Sequence, residues 1–553
     1  MEIRRNTAKW EKLPFSALRV SGDLAYRIVK NAARLESGWY KPDMVFKADQ
    51  AGWPADWEGR TILALTMLAQ VSGREPAYLE RIMDQLEGRL NSRGYLGKEL
   101  PAGVLDEQQF SGHNWLLRGL LEYAAWKQDA HAARLADRIV ESLYLPAVGY
   151  YADYPTDPAV RERSGGAAGN RTGTLVGHWY TSTDIGCAFM ALDALSLYYE
   201  RTADMRVKRL LEEMIAAFRR IDFVGASMQT HASLSAARGI LRFYESTGDE
   251  SCLQTVIELF SLYCREGMTE NYANDNWFGR PEWTEPCAVI DSYMLASGLF
   301  DNTGELRYLR MAHRILYNAM WFAQRSNGGF GCDSCVGAQE PLLHPKEEYF
   351  EAYWCCTMRG GEGLARAAEN MVRMDADTLY ILHPGDLDIA LHVQHVRLRA
   401  DFPRDTRIVL DMEGEGSWKS VRLYLPEGAD SVRILQGEGE EAVSAGLDEG
   451  TITIPFCPGG RTEVTYSLSL RTEAPLRERA KTFGVKYQYG PLLLGTQTDA
   501  ALPIVPEHFE ALGQGRFQVA QTDYILEPLG GMIDRENGDD RRCCMQVLFG
   551  DNR

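Results

Sequence analysis

The strongest constraint in this chain is a loose repeat that begins at Trp53. A polar or small cluster opens a helix, Leu, Ala and Tyr residues follow at helical spacing, and a short turn leads into a returning helix. The units open at Asp56-Trp57-Glu58-Gly59-Arg60, Ser111-Gly112-His113-Asn114, Thr181-Ser182-Thr183-Asp184, Thr230-His231-Ala232-Ser233, Thr284-Glu285-Pro286-Cys287 and Cys355-Cys356-Thr357-Met358-Arg359. With Glu58, His113, Asp184, His231, Glu285 and Cys355 as markers, the spacings are 55, 71, 47, 54 and 70 residues. A hairpin that cannot bury its apolar face alone must stack on its neighbours. Six such hairpins form either an open solenoid or a closed ring, an (α/α)6 toroid. Each first helix opens with residues suited to chemistry or sugar binding. A ring brings those helix starts to one pocket, whereas a solenoid spreads them along a ridge, so the ring is the expectation.

After Asp375 the texture changes. Runs such as Leu379-Tyr380-Ile381-Leu382, Arg407-Ile408-Val409-Leu410 and Thr451-Ile452-Thr453-Ile454 are separated by turns like Pro384-Gly385-Asp386. Short strands at this spacing predict an antiparallel β-sandwich. The expected organisation is a helical catalytic domain over 1–375, a β-sandwich over 376–475 and a further β-rich segment over 476–553. Residues 1 to about 50 are expected to pack on the helical domain, and the tail 536–542 to be a solvated loop.

A chain of 553 residues exceeds one simple core and has ample apolar material for several. Its 59 basic and 77 acidic residues leave a charge of −18, which argues against nucleic acid or an anionic membrane as partner. The basic start Met1-Glu2-Ile3-Arg4-Arg5 is followed by no apolar run, and no stretch reaches membrane-spanning length, so a cytoplasmic protein is expected. The 11 cysteines of such a protein stay reduced and serve metals, catalysis or the core. Cys187, Cys252 and Cys264 sit among apolar helix residues and read as small core side chains, and Cys543-Cys544 has no His nearby in sequence.

Adjacent cysteines such as Cys355-Cys356 are too close for an ordinary disulfide, which points to a shared metal. Glu285 and Cys287 open the fifth hairpin while Cys355 and Cys356 open the sixth, so neighbouring helix starts in a ring can meet over one ion. A set with three sulfurs selects zinc over magnesium or calcium. A rival set pairs Cys332-Asp333-Ser334-Cys335 with Cys355-Cys356 as a structural zinc site of four thiolates, which would suit a non-catalytic carbohydrate-binding or scaffold protein. His113, His178, Tyr180, Asp184 and His231 lie at or near helix starts and are candidates for binding a sugar. They also allow a different enzyme on the same ring, a uronyl hydrolase, lyase or epimerase working through His113, Asp184 and His231 without zinc.

Glu-x-Cys followed about seventy residues later by Cys-Cys, within helical hairpins and ahead of a β-sandwich, resembles the β-L-arabinofuranosidase family of glycoside hydrolases, family 127, long catalogued as a group of unknown function. Leu316-Tyr317-Asn318-Ala319 looks like the family's segment between its metal motifs, and Gly490-Pro491-Leu492 like its element after a later strand. The resemblance implies zinc held by Glu285, Cys287, Cys355 and Cys356, with Cys355 as nucleophile and Glu270 as general acid/base; Glu282 ranks second for that role. It implies a retaining hydrolase of an L-arabinofuranoside or a related small oligosaccharide, with a homodimer as an allowed assembly. The chain departs from the family pattern at Pro286, where Thr is usual, and at Thr357-Met358, where two prolines are usual.

Overall fold

The computed structural model describes residues 8–47, 52–161, 171–437, 443–444, 446–532 and 544–550. The expectations placed on the tail 536–542 and on Cys543 lie outside them.

The helical part is a two-layered ring. Its inner helices are α2 (Asp56–Ser72), α4 (Glu107–Lys127), α6 (Ala191–Thr202), α8 (Thr230–Thr247), α10 (Pro286–Thr303) and α12 (Cys356–Glu369). Each packs on the next, and α12 returns to α2 and closes the circle. The outer layer is α1 (Gly22–Leu35), α3 (Leu79–Leu86), α5 (Ala130–Ile139), α7 (Met205–Phe218), α9 (Glu250–Leu262) and α11 (Leu306–Arg314).

The two layers differ because their sequences do. The outer α3 buries Leu79, Ile82, Met83 and Leu86, one stripe at helical spacing, and leaves the rest to solvent. Each such side chain contributes about 1.5–3 kcal/mol when fully buried. The inner α2 is buried on nearly every side, so it has no comparable stripe. Inner helices also approach closely: a Cβ on Gly59 of α2 would lie 2.1 Å from the backbone nitrogen of Leu116 in α4. Turns between layers repeat one device. Gln128, Ala203, Gly248 and Gly304 take left-handed backbone at the end of an inner helix. After three of these turns the next residue, Asp129, Asp204 or Asp249, caps the outer helix by accepting a backbone N–H.

Two expectations about the hairpins are corrected. The sixth inner helix has no returning partner after it, because the chain passes from α12 into the strand Val372–Met374. Its outer partner is α1, which packs on both α12 and α2, and Asn31 of α1 donates to the carbonyls of Gly328 and Thr357. Secondly, His113 does not open a helix. The Asp106 carboxylate accepts the N–H groups of Gln108 and Gln109, so α4 begins at Glu107 and His113 falls in its second turn.

The strands from Val372 to Ser467, joined by Leu18–Val20 from the N-terminal segment, form two sheets around a separate core that includes Val396, Leu398, Ile408, Leu410, Val421 and Ile454. One sheet runs Leu18–Val20, Leu387–Leu391, Gln394–Arg399, Arg407–Glu413, Arg461–Ser467, Asp430–Gln436 and Val443–Ser444; the other runs Thr451–Pro455, Ser420–Tyr424, Thr378–Ile381 and Val372–Met374. Pairing is antiparallel except between Thr378–Ile381 and Ser420–Tyr424. A third sheet, centred on Lys486–Tyr489 and Leu492–Gln497, shares its core with the helical ring through Leu492, Leu493 and Leu494. Asn318 fastens it: its side chain donates to the Pro491 carbonyl (2.9 Å) and accepts the Leu493 N–H (2.7 Å). The two segments linked here are the two secondary motifs singled out in the sequence.

Candidate active site

Glu285 and Cys287 flank the first residue of α10, and Cys355 and Cys356 stand at the start of α12. Because α10 and α12 are ring neighbours with their N-termini at the same end, these four residues converge. One carboxylate oxygen and the three sulfurs all lie within 4.8 Å of one another. Cys356 is the hub, 3.5 Å from Cys287 and 3.4 Å from Cys355, sulfur to sulfur. All three cysteines are free.

Each of these groups resists ionisation as it stands. Burial pushes the Glu285 carboxyl up to about 8, with Asp184 adding to the rise. Burial likewise holds the thiols of Cys287 and Cys356 well above the usual range. For Cys355 the hydrogen bond with Cys287 pulls down, but the bond with Cys356 and burial outweigh it. Four acidic groups at this spacing therefore lack the positive charge that would let them ionise together. The donor set, three sulfurs and one carboxylate, is of the kind that holds zinc in a tetrahedron. Asn276 faces Glu285 and the Trp283 indole; the amide orientation that satisfies both puts its nitrogen on Glu285 (2.5 Å) and its oxygen on the indole N–H (3.2 Å).

The rival set is not assembled. Cys332 lies against Cys356 as a hydrogen-bond partner, but Cys335 turns its sulfur towards the Asn274 carbonyl, 3.8 Å away, and towards Asp275.

Arg60, which sequence reasoning passed over, is the nearest cation. One Nη donates towards the Cys287 sulfur at 3.5 Å, Nε is held by Asp56 at 2.8 Å, and the guanidinium stacks on Trp115 at 4.2 Å. The i,i+4 spacing of Asp56 and Arg60 at a helix start was the available signal. Glu58, on the same turn, is buried away from any ion pair and raised to about 8 by burial.

The expected sugar contacts divide. Asp184 is beside the cluster: it accepts from the Trp277 indole N–H (2.8 Å) and the Gln229 amide (3.2 Å), and burial raises it to about 6. His231 is stacked parallel to Trp115 at 5.5 Å and bonded through Nδ1 to Asp291 at 2.7 Å; burial lowers it to about 4, so Nδ1 is the donor and Nε2 has no protein partner. His113 is committed to backbone on both sides, Nδ1 to the Gln109 carbonyl and Nε2 to the Leu96 N–H, which leaves neither ring nitrogen for a sugar hydroxyl. His178 and Tyr180 belong to the hairpin Arg171–Val176/Trp179–Ser182 rather than to a helix start, and His178 bonds the Gly103 carbonyl at 2.7 Å.

Glu270 has a set of partners of its own. It is fully buried, its two oxygens accept the N–H groups of Leu476 (2.7 Å) and Arg477 (3.0 Å), and the Lys486 ammonium lies 3.1 Å away. Both carboxylate oxygens are thus taken up by backbone N–H groups, with the buried Lys486 ammonium as the nearest counter-charge. Glu282 is exposed and paired with Arg280 at 2.6 Å.

No helix among the described residues is long and apolar enough to cross a membrane. No protein-family profile matches the sequence, and no curated protein does. Solved structures match the whole chain. A GH127 β-arabinofuranosidase has a TM-score of 0.70 at 14% identity, covering 99% of this chain and 98% of its own. A glycoside hydrolase gives 0.70 at 12% identity, with 99% and 98% covered. A GH127 β-L-arabinofuranosidase from Geobacillus stearothermophilus T6 gives 0.67 at 14% identity, with 96% and 99% covered. The chain thus has the fold of these enzymes over its full length: an (α/α)6 ring followed by mainly antiparallel sheets.

Proposed function

We propose that the chain is a zinc-dependent retaining glycoside hydrolase that uses the Cys355 thiolate as nucleophile on an L-arabinofuranoside or a related furanoside of a small oligosaccharide. The observation that carries this reading is the convergence of Glu285, Cys287, Cys355 and Cys356, in which Cys355 alone of the three thiols is only partly buried. Cys355 is thus the one of the three nearest the surface, whereas Cys287 and Cys356 are buried. The fold shared with arabinofuranosidases supports the substrate class.

Zinc held by these four residues would supply the charge that keeps the thiols deprotonated. Cys355 then attacks the anomeric carbon, forming a carbon–sulfur bond as the bond to the leaving oxygen breaks. That oxygen needs a proton, and in this reading it comes from Asp184, which is buried beside Glu285 and oriented by Trp277 and Gln229. The Asp184 carboxylate next removes a proton from water, whose oxygen displaces the sulfur and returns Cys355 to its starting state. Arg60 steadies the cluster by donating to Cys287.

A screen of nitrophenyl glycosides that includes the β-L-arabinofuranoside, run on wild type and Cys355→Ser, tests the reading. Hydrolysis of at least one furanoside by wild type and its loss in the variant are expected. Full activity in Cys355→Ser would show that the thiolate is not the nucleophile.

A further inference from the structure

The two loops that deliver the cluster also carry aromatic rings that the cluster does not use. Trp39 lies nearly parallel on Tyr353, with centroids 4.3 Å apart, and Tyr353 meets Trp354 edge to face at 5.0 Å. Trp354 reaches Tyr349 at 6.2 Å, Tyr349 leans on Trp283 at 5.5 Å, and Trp283 meets Trp277 at 5.0 Å. The strip is continuous. It starts at solvent, passes the backbone just before Cys355, and ends on the indole whose N–H holds Asp184.

Its outer end is open. Trp39 is 38% exposed and Trp354 37%, and Phe350 in the same loop is 42% exposed. Among the described residues these are the Trp and Phe side chains that stand out as large exposed hydrophobics. Isolated apolar residues on a surface need no explanation, but two exposed indoles joined through Tyr353 at the outer end of one continuous strip do. At the inner end Arg280 lies over Trp277 at 4.3 Å and is paired with Glu282, giving hydrogen-bonding groups of both signs beside the rings.

We propose that this strip is a binding subsite for a neutral sugar unit on the leaving-group side of the scissile bond. This rests on the reading of the site given above. A terminal sugar with its anomeric carbon at Cys355 has the buried cluster behind it, so only its leaving group extends outwards, along these rings. Indole and phenol faces suit the apolar C–H faces of a sugar ring. A paired Arg280–Glu282 offers partners to hydroxyls without favouring an anionic or a cationic group.

Wild type, Trp39→Ala and Trp354→Ala are compared on methyl β-L-arabinofuranoside, whose leaving group is too small to touch the strip, and on a β-L-arabinofuranosyl disaccharide. Thermal unfolding confirms that each variant folds. For the disaccharide, kcat/KM falls roughly tenfold, the size of one lost stacking contact, and the methyl glycoside changes little. Equal loss on both substrates, or loss on neither, overturns the proposal. If wild type hydrolyses neither compound, the reading of the site fails first, and the strip is judged by ligand-observed NMR with the disaccharide. Binding weakened in both variants then supports it, whereas no binding, or binding unchanged in the variants, overturns it.

Discussion

The sulfur of Cys287 lies 3.5 Å from that of Cys356, which follows it by 69 residues. Nothing local joins them; the contact exists because α10 and α12 are neighbours in a closed ring and both start at the same end. Ring closure is thus what converts two separated motifs into one four-donor group.

That group is expected to take up one zinc ion per chain, measured by elemental analysis of the purified protein. Cys287→Ser and Glu285→Gln each remove a donor and lower the zinc content well below one. Cys335→Ser, whose sulfur faces Asn274 instead, keeps it. Because the metal binds the folded chain alone, removing it with a chelator lowers the unfolding temperature of wild type and not of Cys287→Ser. A wild-type protein without zinc, or equal zinc in all variants, would contradict the assignment.

Glu270 and Lys486 give a prediction of the opposite kind. Glu270→Gln leaves a buried ammonium without its counter-charge, a loss of about 3–5 kcal/mol of stability. Lys486→Met added to it restores part of that loss, since the double variant buries no uncompensated charge. The kcat of Glu270→Gln on a hydrolysed glycoside stays within about twofold of wild type. A large fall in kcat with unchanged unfolding would instead return Glu270 to the acid/base role the family resemblance implies.

These residues mark where the sequence was legible and where it was not. The stripe Leu79, Ile82, Met83, Leu86 states its own helix, and alternation in runs such as Val421-Arg422-Leu423 states a strand. The Cys355-Cys356 pair points to a cluster of possible metal donors, because adjacent thiols have few other uses, and the cluster is assembled. By contrast, α1 completes the sixth hairpin from the far end of the chain, and no local pattern announces a partner more than 300 residues away. The Asp106 cap was a local signal that His113 obscured: a histidine near a polar cluster looks like a helix start when the true start is Glu107. Glu270 lies fifteen residues before Glu285, as the family's acid does, yet spacing says nothing of Leu476, Arg477 and Lys486, which arrive from the third sheet and claim its carboxylate.

Asp184 is the residue to replace for the proton. Asp184→Asn keeps the hydrogen bond to a donor on one oxygen but has no proton to transfer, and kcat is expected to fall by about 10²–10⁴. Zinc content should be unchanged, which separates loss of the acid from loss of the metal. Trp277→Phe removes the indole N–H that orients the carboxyl. It is expected to lower kcat less than Asp184→Asn and to leave KM for methyl β-L-arabinofuranoside nearly unchanged. Retention of wild-type kcat in Asp184→Asn would remove Asp184 from the chemistry.

His113 supplies a pH dependence that belongs to folding and not to catalysis. Burial lowers it to about 4 in the folded chain, whereas an unfolded chain protonates it near its ordinary value of 6.5. Between those values the unfolded chain carries the extra proton. The stability that neutral His113 contributes is therefore complete above about pH 6.5 and is lost as the pH falls towards 4, to a total of roughly 3 kcal/mol. Buried carboxyls such as Glu58, raised to about 8, act in the opposite sense, so the absolute stability is a poor readout. The difference between wild type and His113→Gln isolates the histidine, because every other group titrates in both. Denaturant unfolding at pH 7, 6, 5 and 4 should show the wild-type advantage shrinking steadily across that range. An advantage that stayed constant would mean that His113 is protonated in the folded chain at the same pH as in the unfolded one, and that its bonds to Gln109 and Leu96 do not fix the neutral ring.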